Sequence, residues 1–314
     1  MAKTPRTIVV ANPQSGGGAL ARRWGQVADQ IRSAFGPFEH RFTEGPGHAT
    51  QLAKAALLAG YDQVVALGGD GTIGQVAAGF MEGDRPINRE AVLGVLPHGT
   101  GGDFRRTLRI SKDLRRSASA LRGTKTAPLD LGRIRYTAHD GSPAEGYFVN
   151  IASFGMGGLV DRFVNESGKR LGGTLSFLAS TVRAATMYRN ASVELRLDGE
   201  EPFQMKVVNV AVANGQFFGG GMRVAPWART DDGQLDVIAI GDFSPSEMLR
   251  FGYRIYLGTH LGHPKVRPGR GRHLEARPLR EGAEILLDVD GEAPGRLPAT
   301  FDVLPGALNL KVPD

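Results

Sequence analysis

The chain has 314 residues, which exceeds the usual size of one domain and favours two. With 41% hydrophobic and 22% charged residues, the composition excludes disordered and fibrous classes. Cysteine is absent, which excludes disulfides, thiolate metal sites and a cysteine nucleophile. We find no uncharged apolar run of about 18 residues and no signal-peptide pattern, so a cytosolic protein is expected.

The net charge of +6 is concentrated late in the chain. Between residues 250 and 280 the one acid is Glu275, and the cations are Arg250, Arg254, Lys265, Arg267, Arg270, Arg272, Arg277 and Arg280. Such a stretch can hold nucleic acid or an anionic membrane by Coulomb attraction and counterion release. The other interpretation is a solvated loop, and the sequence by itself favours the loop.

The first part of the chain alternates strands with helices. Buried strands are predicted at residues 7–11, 64–67 and 92–96, and helices at residues 19–35 and 48–59. A further helix follows Thr72, because apolar residues recur at i, i+3, i+4 and i+7 from Ile73 to Phe80. This alternation, which continues to about residue 125, predicts a mostly parallel sheet covered on both faces.

The second part of the chain changes to period-two segments, which predict antiparallel strands. They lie at residues 133–137, 146–151, 193–197, 204–213, 235–240 and 284–289, with one predicted helix at residues 173–189. The expected fold is a largely antiparallel sandwich or open barrel. We place an α/β nucleotide-binding domain at residues 1–130, with a tail of about 300–314 returning to it, and a lipid-binding β domain at residues 131–299.

Three glycine-rich turns follow three strands of the first domain: NPQSGGG at residues 12–18, GGDGT at 68–72 and PHGTGG at 97–102. The carboxyl ends of parallel strands share one edge, so these turns should converge there. Glycines let backbone N–H groups approach an anion, and Thr72 and Thr100 add hydroxyl donors, which predicts a nucleotide phosphate as ligand. Glycines that only tighten turns are the alternative, since neither GxxxxGK[ST] nor GxGxxG is present.

Taken in order, these motifs resemble the diacylglycerol kinase catalytic-domain family, soluble bacterial lipid kinases related to sphingosine and ceramide kinases. The shared patterns are NPxSGxG, GGDGT, PxGTGxDF, DLG at residues 130–132, NIASFG at 150–155, GGGM at 219–222 and DGE at 290–292. GGDGT alone also resembles turns of NAD kinases and phosphofructokinases. The resemblance implies a Rossmann-like parallel α/β domain and a C-terminal antiparallel β-sandwich domain.

The resemblance also implies the site residues. Nucleotide contacts would come from Asn12, Ser15, Gly16, Thr43, Gly68, Gly69, Asp70, Gly71, Thr72, Ile73, Gly74, Thr100 and Asp103. Catalysis would rest on Glu292 as proton acceptor, with Asp290 as its competitor, and on Asp70, which could bind Mg²⁺ or accept the proton. A structural Mg²⁺ would be held by Asp232 and the main-chain oxygens of Arg229 and Gln234, and Asp130 would act on a metal through water. Capping or turn roles are the alternative for these carboxylates, and Asp231 or Asp236 could replace Asp232.

Two positions depart from the family pattern. Most relatives carry Lys or Arg where this chain has Gly17, and Asn where it has Gly102. The lost charge could be restored by Arg22, Arg23, Arg105 or Arg106.

The expected function is an ATP- and Mg²⁺-dependent lipid kinase that phosphorylates diacylglycerol to phosphatidic acid. The alternatives are another lipid acceptor (ceramide, sphingosine or phosphatidylglycerol), a soluble acceptor such as NAD, and a nucleotide-responsive membrane-binding protein without turnover. The expected partners are the lipid substrate and an anionic membrane surface at the inner face of the cytoplasmic membrane. Contact would use the basic stretch and Phe217, Phe218 and Trp227. Nucleic acid is not expected, and a homodimer is left open.

Overall fold

The computed structural model describes residues 5–99, 101–157 and 189–313. The chain divides into two units: Met1–Leu131 with Leu304–Asp314, and Gly132–Val303. Thr100 lies outside the described residues. Of the helix predicted at residues 173–189, residues 173–188 also lie outside them. Within the described residues, no helix combines the length and the apolar character that a membrane span requires.

The first unit is a parallel sheet flanked by helices. Its strands are β1 (Thr7–Ala11), β2 (Glu39–Phe42), β3 (Gln63–Gly68), β4 (Met81–Glu82), β5 (Arg85–Pro86) and β6 (Val92–Pro97). Its helices are α1 (Ser15–Arg22), α2 (Trp24–Ala34), α3 (His48–Leu58), α4 (Asp70–Ala78), α5 (Asp103–Thr107) and α6 (Leu114–Ala120). The strand order is β6-β3-β1-β2, all parallel, and β4 and β5 form a separate antiparallel pair.

Helices cover both faces of this sheet, as the alternating pattern predicted. Alternate residues of β1 and β3 point to opposite faces. Val9 and Val65 lie in one core with Ile31 of α2 and Ala118 of α6, and α3 and α4 contact the sheet strands and each other. The single helix predicted at residues 19–35 is two helices that meet at Arg23.

The second unit contains two antiparallel sheets. Its elements are β7 (Thr126–Ala138), β8 (Pro143–Phe148), β9 (Ile151–Gly155), β10 (Ala191–Leu197), β11 (Phe203–Val207), β12 (Asn209–Ala213), β13 (Leu235–Ile240), α7 (Pro245–Leu257), β14 (Val266–Gly271), β15 (His273–Pro278), β16 (Leu287–Val289) and β17 (Gly295–Lys311). One sheet has the order β11-β10-β15-β17, with β7 paired to β17 and β8 paired to β7, and the other has the order β14-β13-β12-β9-β16.

The core of the second unit is built from inward-facing residues of both sheets, as period-two patterns require. Phe154 of β9 stacks on Phe301 of β17 with ring centroids 5.9 Å apart. The segment predicted as one strand at residues 204–213 is two strands, β11 and β12, which join different sheets. The predicted class, an α/β domain followed by an antiparallel β domain, is confirmed.

The loop interpretation of residues 250–280 is wrong. The segment contains most of α7 and the whole of β14 and β15. Helix α7 begins with a capping box between Ser244 and Glu247, and it buries Phe251 and Ile255 against one face of the second sheet. The arginines obscured this pattern because they occupy the outer positions between the buried residues.

The two units are linked by the long strands at their boundary. Strand β7 begins in the first unit, and β17 belongs to the second unit up to Val303 and to the first from Leu304. In the first unit, Asn309 and Leu310 of β17 pair in parallel with Val92 and Leu93 of β6.

Candidate active site

The first glycine loop leaves β1 at Asn12 and turns through three consecutive left-handed residues. Gly16, Gly17 and Gly18 have φ values of 62°, 67° and 79°, which side chains other than glycine rarely adopt. Asn12 fixes the start of this loop, because its Oδ1 accepts from the Gln14 amide at 3.0 Å. The Asn12 Nδ2 donates to Thr72 Oγ1 at 3.1 Å and so joins the first loop to the second.

Ser15 places a hydroxyl group in this loop without a hydrogen-bond partner. The residue is 7% exposed, and its Oγ contacts no donor or acceptor among the described residues. Buried polar groups in native proteins are normally satisfied by protein, water or ligand. The Ser15 hydroxyl therefore lacks, among the described residues, the partner that a buried polar group normally has.

The second and third loops approach each other backbone to backbone. A Cβ atom on Gly99 would lie 2.8 Å from the Cα of Gly69, and one on Gly68 would lie 2.5 Å from Thr72 Oγ1. At Gly71 the same position has no atom within 4 Å. The first turn of α4 thus opens on one side, with the amide groups and positive end of a helix that bind anions.

Asp70 connects the second loop to helix α5. Its carboxylate accepts the amide of Asp103 at 2.9 Å and that of Phe104 at 3.3 Å. Gly102 precedes the helix and has no side chain to cap it, so Asp70 supplies the capping oxygens from a distant loop. In this geometry Asp70 positions the third loop, and its predicted metal or proton role stays a prediction.

The other acidic positions of the first unit are also engaged by protein groups. Asp103 forms an ion pair with Arg106, and the Asp130 carboxylate, 1% exposed as a residue, accepts the Gly306 amide at 2.7 Å. The described ranges contain no group of three or more His, Asp or Glu residues that could hold a metal ion. The metal contact predicted for Asp130 stays a prediction.

The remaining predicted nucleotide positions of the first unit have different surroundings. Thr43 is buried just after β2, and its amide donates to the Ala11 carbonyl at 2.9 Å, which places it beside the end of β1. Ile73 and Gly74 are buried within α4. The structure therefore brings the loop positions and Thr43 to the carboxyl edge of the sheet, while Ile73 packs inside the unit.

Arg22 lies on the first glycine loop. Its Nη1 donates to the Gly17 carbonyl at 3.3 Å, and a Cβ atom on Gly18 would lie 3.1 Å from that nitrogen. Arg105 instead donates to the Ile110 carbonyl, and Arg106 is paired with Asp103. Of the four arginines that the sequence suggested as substitutes for the missing cation, Arg22 is the one whose guanidinium contacts this loop.

The DGE segment of the second unit forms a tight hairpin turn. Val289 and Glu292 exchange two backbone hydrogen bonds of 2.8 and 3.0 Å. Asp290 and Gly291 between them have φ values of 50° and 87°, the two positive angles of a type I′ turn. The turn projects Glu292 at the surface, where its residue is exposed.

Asp290 anchors this turn. Its carboxylate accepts the amides of Val149 at 2.8 Å, Asn150 at 3.1 Å and Ile151 at 2.9 Å. Loss of hydration raises the pKa of Asp290 to about 7, against the lowering effect of these hydrogen bonds. Both carboxylate oxygens of Asp290 thus accept backbone amides, and the choice between Glu292 and Asp290 as proton acceptor stays a prediction.

The segment predicted to bind a structural Mg²⁺ contains an arginine contact. Asp232 Oδ1 accepts the Gln234 amide at 3.2 Å, and its Oδ2 contacts the Arg270 guanidinium. Arg270 Nε also lies 3.6 Å from Asp236, and Arg229 is paired with Asp231. The structural Mg²⁺ site predicted at Asp232 and the main-chain oxygens of Arg229 and Gln234 stays a prediction.

Comparison with known proteins identifies the family. A model described as the diacylglycerol kinase catalytic domain matches residues 6–134, and the YegS C-terminal NAD kinase beta sandwich-like domain matches residues 150–312. The chain belongs to the diacylglycerol kinase catalytic-domain family. The predicted resemblance is confirmed, and the chain is a kinase with a hydroxyl acceptor, for which the family implies ATP as substrate.

Curated relatives and solved structures extend this match over nearly the whole chain. The diacylglycerol kinase of Bacillus subtilis (strain 168) is 27% identical over 309 residues, 98% of this chain and 96% of the relative. The diacylglycerol kinase of Staphylococcus haemolyticus is 28% identical, and the match covers 96% of this chain and 85% of the relative. These names support a lipid kinase activity.

Two solved structures show the same fold. A diacylglycerol kinase from Bacillus anthracis has a TM-score of 0.71 at 19% identity, over 99% of this chain and 98% of that one. Yeast NADH kinase, complexed with NADH, has a TM-score of 0.51 at 12% identity, over 98% of this chain and 83% of that one.

We expect Gly68→Ala and Gly71→Ala to separate packing from ligand binding. The new methyl at position 68 meets Thr72 at 2.5 Å, so the melting temperature should fall. At position 71 the space is open and alanine favours a helix, so stability should be kept while the KM for ATP rises. Thermal unfolding and steady-state kinetics measure the two effects, and an unchanged KM in Gly71→Ala would contradict an anion at α4.

We expect Asp290→Asn to lower the stability of the protein and Glu292→Gln to lower its turnover. In Asp290→Asn, an NH₂ group replaces one carboxylate oxygen and faces backbone N–H donors. The free energy of unfolding should therefore fall by roughly 2–4 kcal/mol. Glu292→Gln should unfold like the wild type but lose about 10²–10⁴-fold in kcat through the missing base. Urea unfolding and turnover measure this. A Glu292→Gln enzyme with normal kcat would exclude Glu292 as proton acceptor.

Proposed function

We propose that the chain is a Mg²⁺- and ATP-dependent lipid kinase that transfers the γ-phosphoryl group of ATP to the hydroxyl of diacylglycerol and forms phosphatidic acid. The observation that carries this proposal is the backbone cradle of the first unit. Two contacts, from Asn12 to Thr72 and from Asp70 to the start of α5, connect its three glycine loops. Such a cradle of amides and small residues suits phosphates.

The cradle offers several distinct donors to a nucleotide. The amides of the first turn of α4 and the unpartnered hydroxyl of Ser15 can bind phosphate oxygens, and Arg22 adds a positive charge beside Gly17. We propose that ATP enters as its Mg²⁺ complex, so that the ion would arrive with the substrate and would offset part of the negative charge of the phosphates.

Transfer requires a base for the lipid hydroxyl. In the proposed step, the hydroxyl oxygen forms a bond to the γ-phosphorus while the bond from that phosphorus to the β-bridging oxygen breaks and ADP leaves. The hydroxyl proton passes to the carboxylate of Glu292. Asp290 keeps the turn in place through its three amide contacts.

A soluble acceptor is the second candidate function. The observation that favours it is the fold shared with yeast NADH kinase at a TM-score of 0.51, together with the GGDG turn. Lipid acceptance instead implies a peripheral protein at the cytoplasmic face of the membrane, which we include in the main proposal.

The deciding assay supplies purified protein with labelled ATP, Mg²⁺ and one acceptor at a time: diacylglycerol, ceramide, sphingosine, phosphatidylglycerol or NAD. We expect labelled phosphatidic acid from diacylglycerol and no product after chelation of the metal. Labelled NADP would establish the second candidate. Absence of product from every acceptor would refute a kinase acting on these classes.

Asp70→Asn should lower kcat by about 10²-fold or more, because displacement of the third loop misaligns the phosphates. The amide nitrogen that replaces one oxygen cannot accept from the Asp103 or Phe104 backbone. Asp29→Asn is the matched control, since Asp29 is an exposed carboxylate on α2 paired with Arg32. Equal loss of activity in both variants would contradict a special role for Asp70.

Arg22→Gln should raise the KM for ATP by about tenfold, the effect of one charged hydrogen bond. Its exposed neighbour Arg23 provides the control variant Arg23→Gln. Adding Gly17→Arg to Arg22→Gln should recover part of the loss, although the left-handed φ of 67° at this position disfavours a side chain. If Arg22→Gln leaves the KM for ATP unchanged, the lost family cation is not replaced by Arg22.

A further inference from the structure

An exposed apolar patch lies at the C-terminal end of α7. It consists of Trp227, Tyr253, Tyr256 and Leu257, whose exposed fractions are 64%, 60%, 55% and 64%. We call these four residues the aromatic patch. Exposed aromatic residues in such a group are uncommon on a surface that only faces water.

Helix α7 presents the patch because both of its sides are apolar in the last turns. Phe251 and Ile255 face the core and are 4% exposed each. Tyr253 and Leu257, four residues apart, share the outer side. The inner stripe already fixes the helix on the sheet, so the outer aromatic residues are not needed for its burial.

Trp227 is held beside the end of this helix. Gly258, the C-cap of α7, would place a Cβ atom 3.1 Å from Pro226. Arg223 Nη2 donates to the Pro226 carbonyl at 3.3 Å, and the Arg223 amide donates to the Ile255 carbonyl at 3.1 Å. Ala225 and Ala228 are buried on either side of the tryptophan. The turn that carries Trp227 is therefore anchored to α7.

The charge around the patch has one sign. No acidic residue occurs from position 248 to position 274. Arg250 and Arg254 lie on α7, and within the described residues neither forms an ion pair with a carboxylate. Glu247, at the opposite end of the helix, is 2.7 Å from Lys265.

The acidic residues close to Trp227 in sequence also contact arginines. Asp231 is paired with Arg229, and Asp232 contacts Arg270. The surroundings of the patch thus offer uncompensated arginines and no uncompensated carboxylate among the residues named.

The aromatic rings and the arginines without ion-pair partners together indicate which kind of partner binds the aromatic patch. In a twofold contact between two copies, the same surface meets itself, so Arg250 and Arg254 would face their equivalents without acids between them. Aromatic rings with arginines match the boundary between lipid headgroups and acyl chains, where the rings insert and the cations attract anionic headgroups.

We propose that the aromatic patch docks this chain onto a membrane surface that carries anionic lipids. The inference rests on the proposed function for its biological purpose, since a kinase for diacylglycerol must reach a substrate that stays in the bilayer. The contact itself uses residues outside the glycine cradle and the DGE turn, so docking and turnover can be measured separately.

Trp227 provides a direct reporter of docking. The chain contains two tryptophans, and Trp24→Phe leaves Trp227 as the single one while keeping a ring next to Phe42. Vesicles of phosphatidylcholine with phosphatidylglycerol should shift the emission of Trp227 to shorter wavelength, and pure phosphatidylcholine should shift it much less. An unshifted emission in the presence of anionic vesicles would overturn the proposal.

Vesicle co-sedimentation of the full chain tests the residues. Trp227→Ala with Tyr256→Ala should weaken binding roughly tenfold or more, with Leu58→Ala as a control because Leu58 is 67% exposed in the first unit. Arg250→Gln and Arg254→Gln should each weaken binding about fivefold at low salt, compared with the exposed pair Arg115→Gln and Arg116→Gln. Binding equal to wild type in the patch variants would overturn the proposal.

Two further readouts separate this inference from the proposed function. The patch variants should phosphorylate a short-chain diacylglycerol in solution at the wild-type rate, because no patch residue belongs to the catalytic machinery. Wild type that binds anionic vesicles but phosphorylates no lipid would refute the kinase proposal and leave docking intact. Patch variants that change a dimer to a monomer in analytical ultracentrifugation, while vesicle binding persists, would assign the patch to a second copy and overturn docking.

Discussion

The contact between the Asp70 carboxylate and the first amides of α5 holds the candidate nucleotide site together. Helix α5 has five residues and follows Gly102, which provides no cap of its own. Without an acceptor for these amides, the helix and the third glycine loop before it would lack a fixed position. In the same region Gly99 lies against Gly69, where only the absence of a side chain permits the approach.

Aspartates that accept backbone amides recur in this chain. Asp290 accepts three amides at residues 149–151, Asp130 accepts that of Gly306, and Asp198 accepts those of Arg272 and His273. In each case the carboxylate fixes a segment far away in sequence. Charged acceptors form stronger hydrogen bonds than neutral ones.

Both departures from the family pattern lie beside contacts that other residues supply. Next to Gly102, the Asp70 carboxylate accepts the first amides of α5 from the second loop. At Gly17, the Arg22 guanidinium donates to the carbonyl oxygen. Both contacts come from residues at other positions along the chain, and the replacement of the family cation by Arg22 stays a proposal.

The sequence by itself determined the class of fold, the family and the positions of the glycine loops, because strand periodicity and turn residues are local signals. Residues 7–11 and 235–240 were predicted with the bounds that the structure shows. The loop predicted at residues 250–280 was wrong, because arginines on the outer side of α7 interrupt the apolar pattern of Phe251 and Ile255 in the sequence. The sequence could not separate Asp290 from Glu292, because neighbouring carboxylates of one turn look alike in sequence, and it left Arg22 as one of four candidate arginines. Tertiary structure decided the surroundings of these residues: which carboxylate meets backbone amides and which side chain reaches solvent depend on segments up to about 140 residues away, and no local pattern records such a contact.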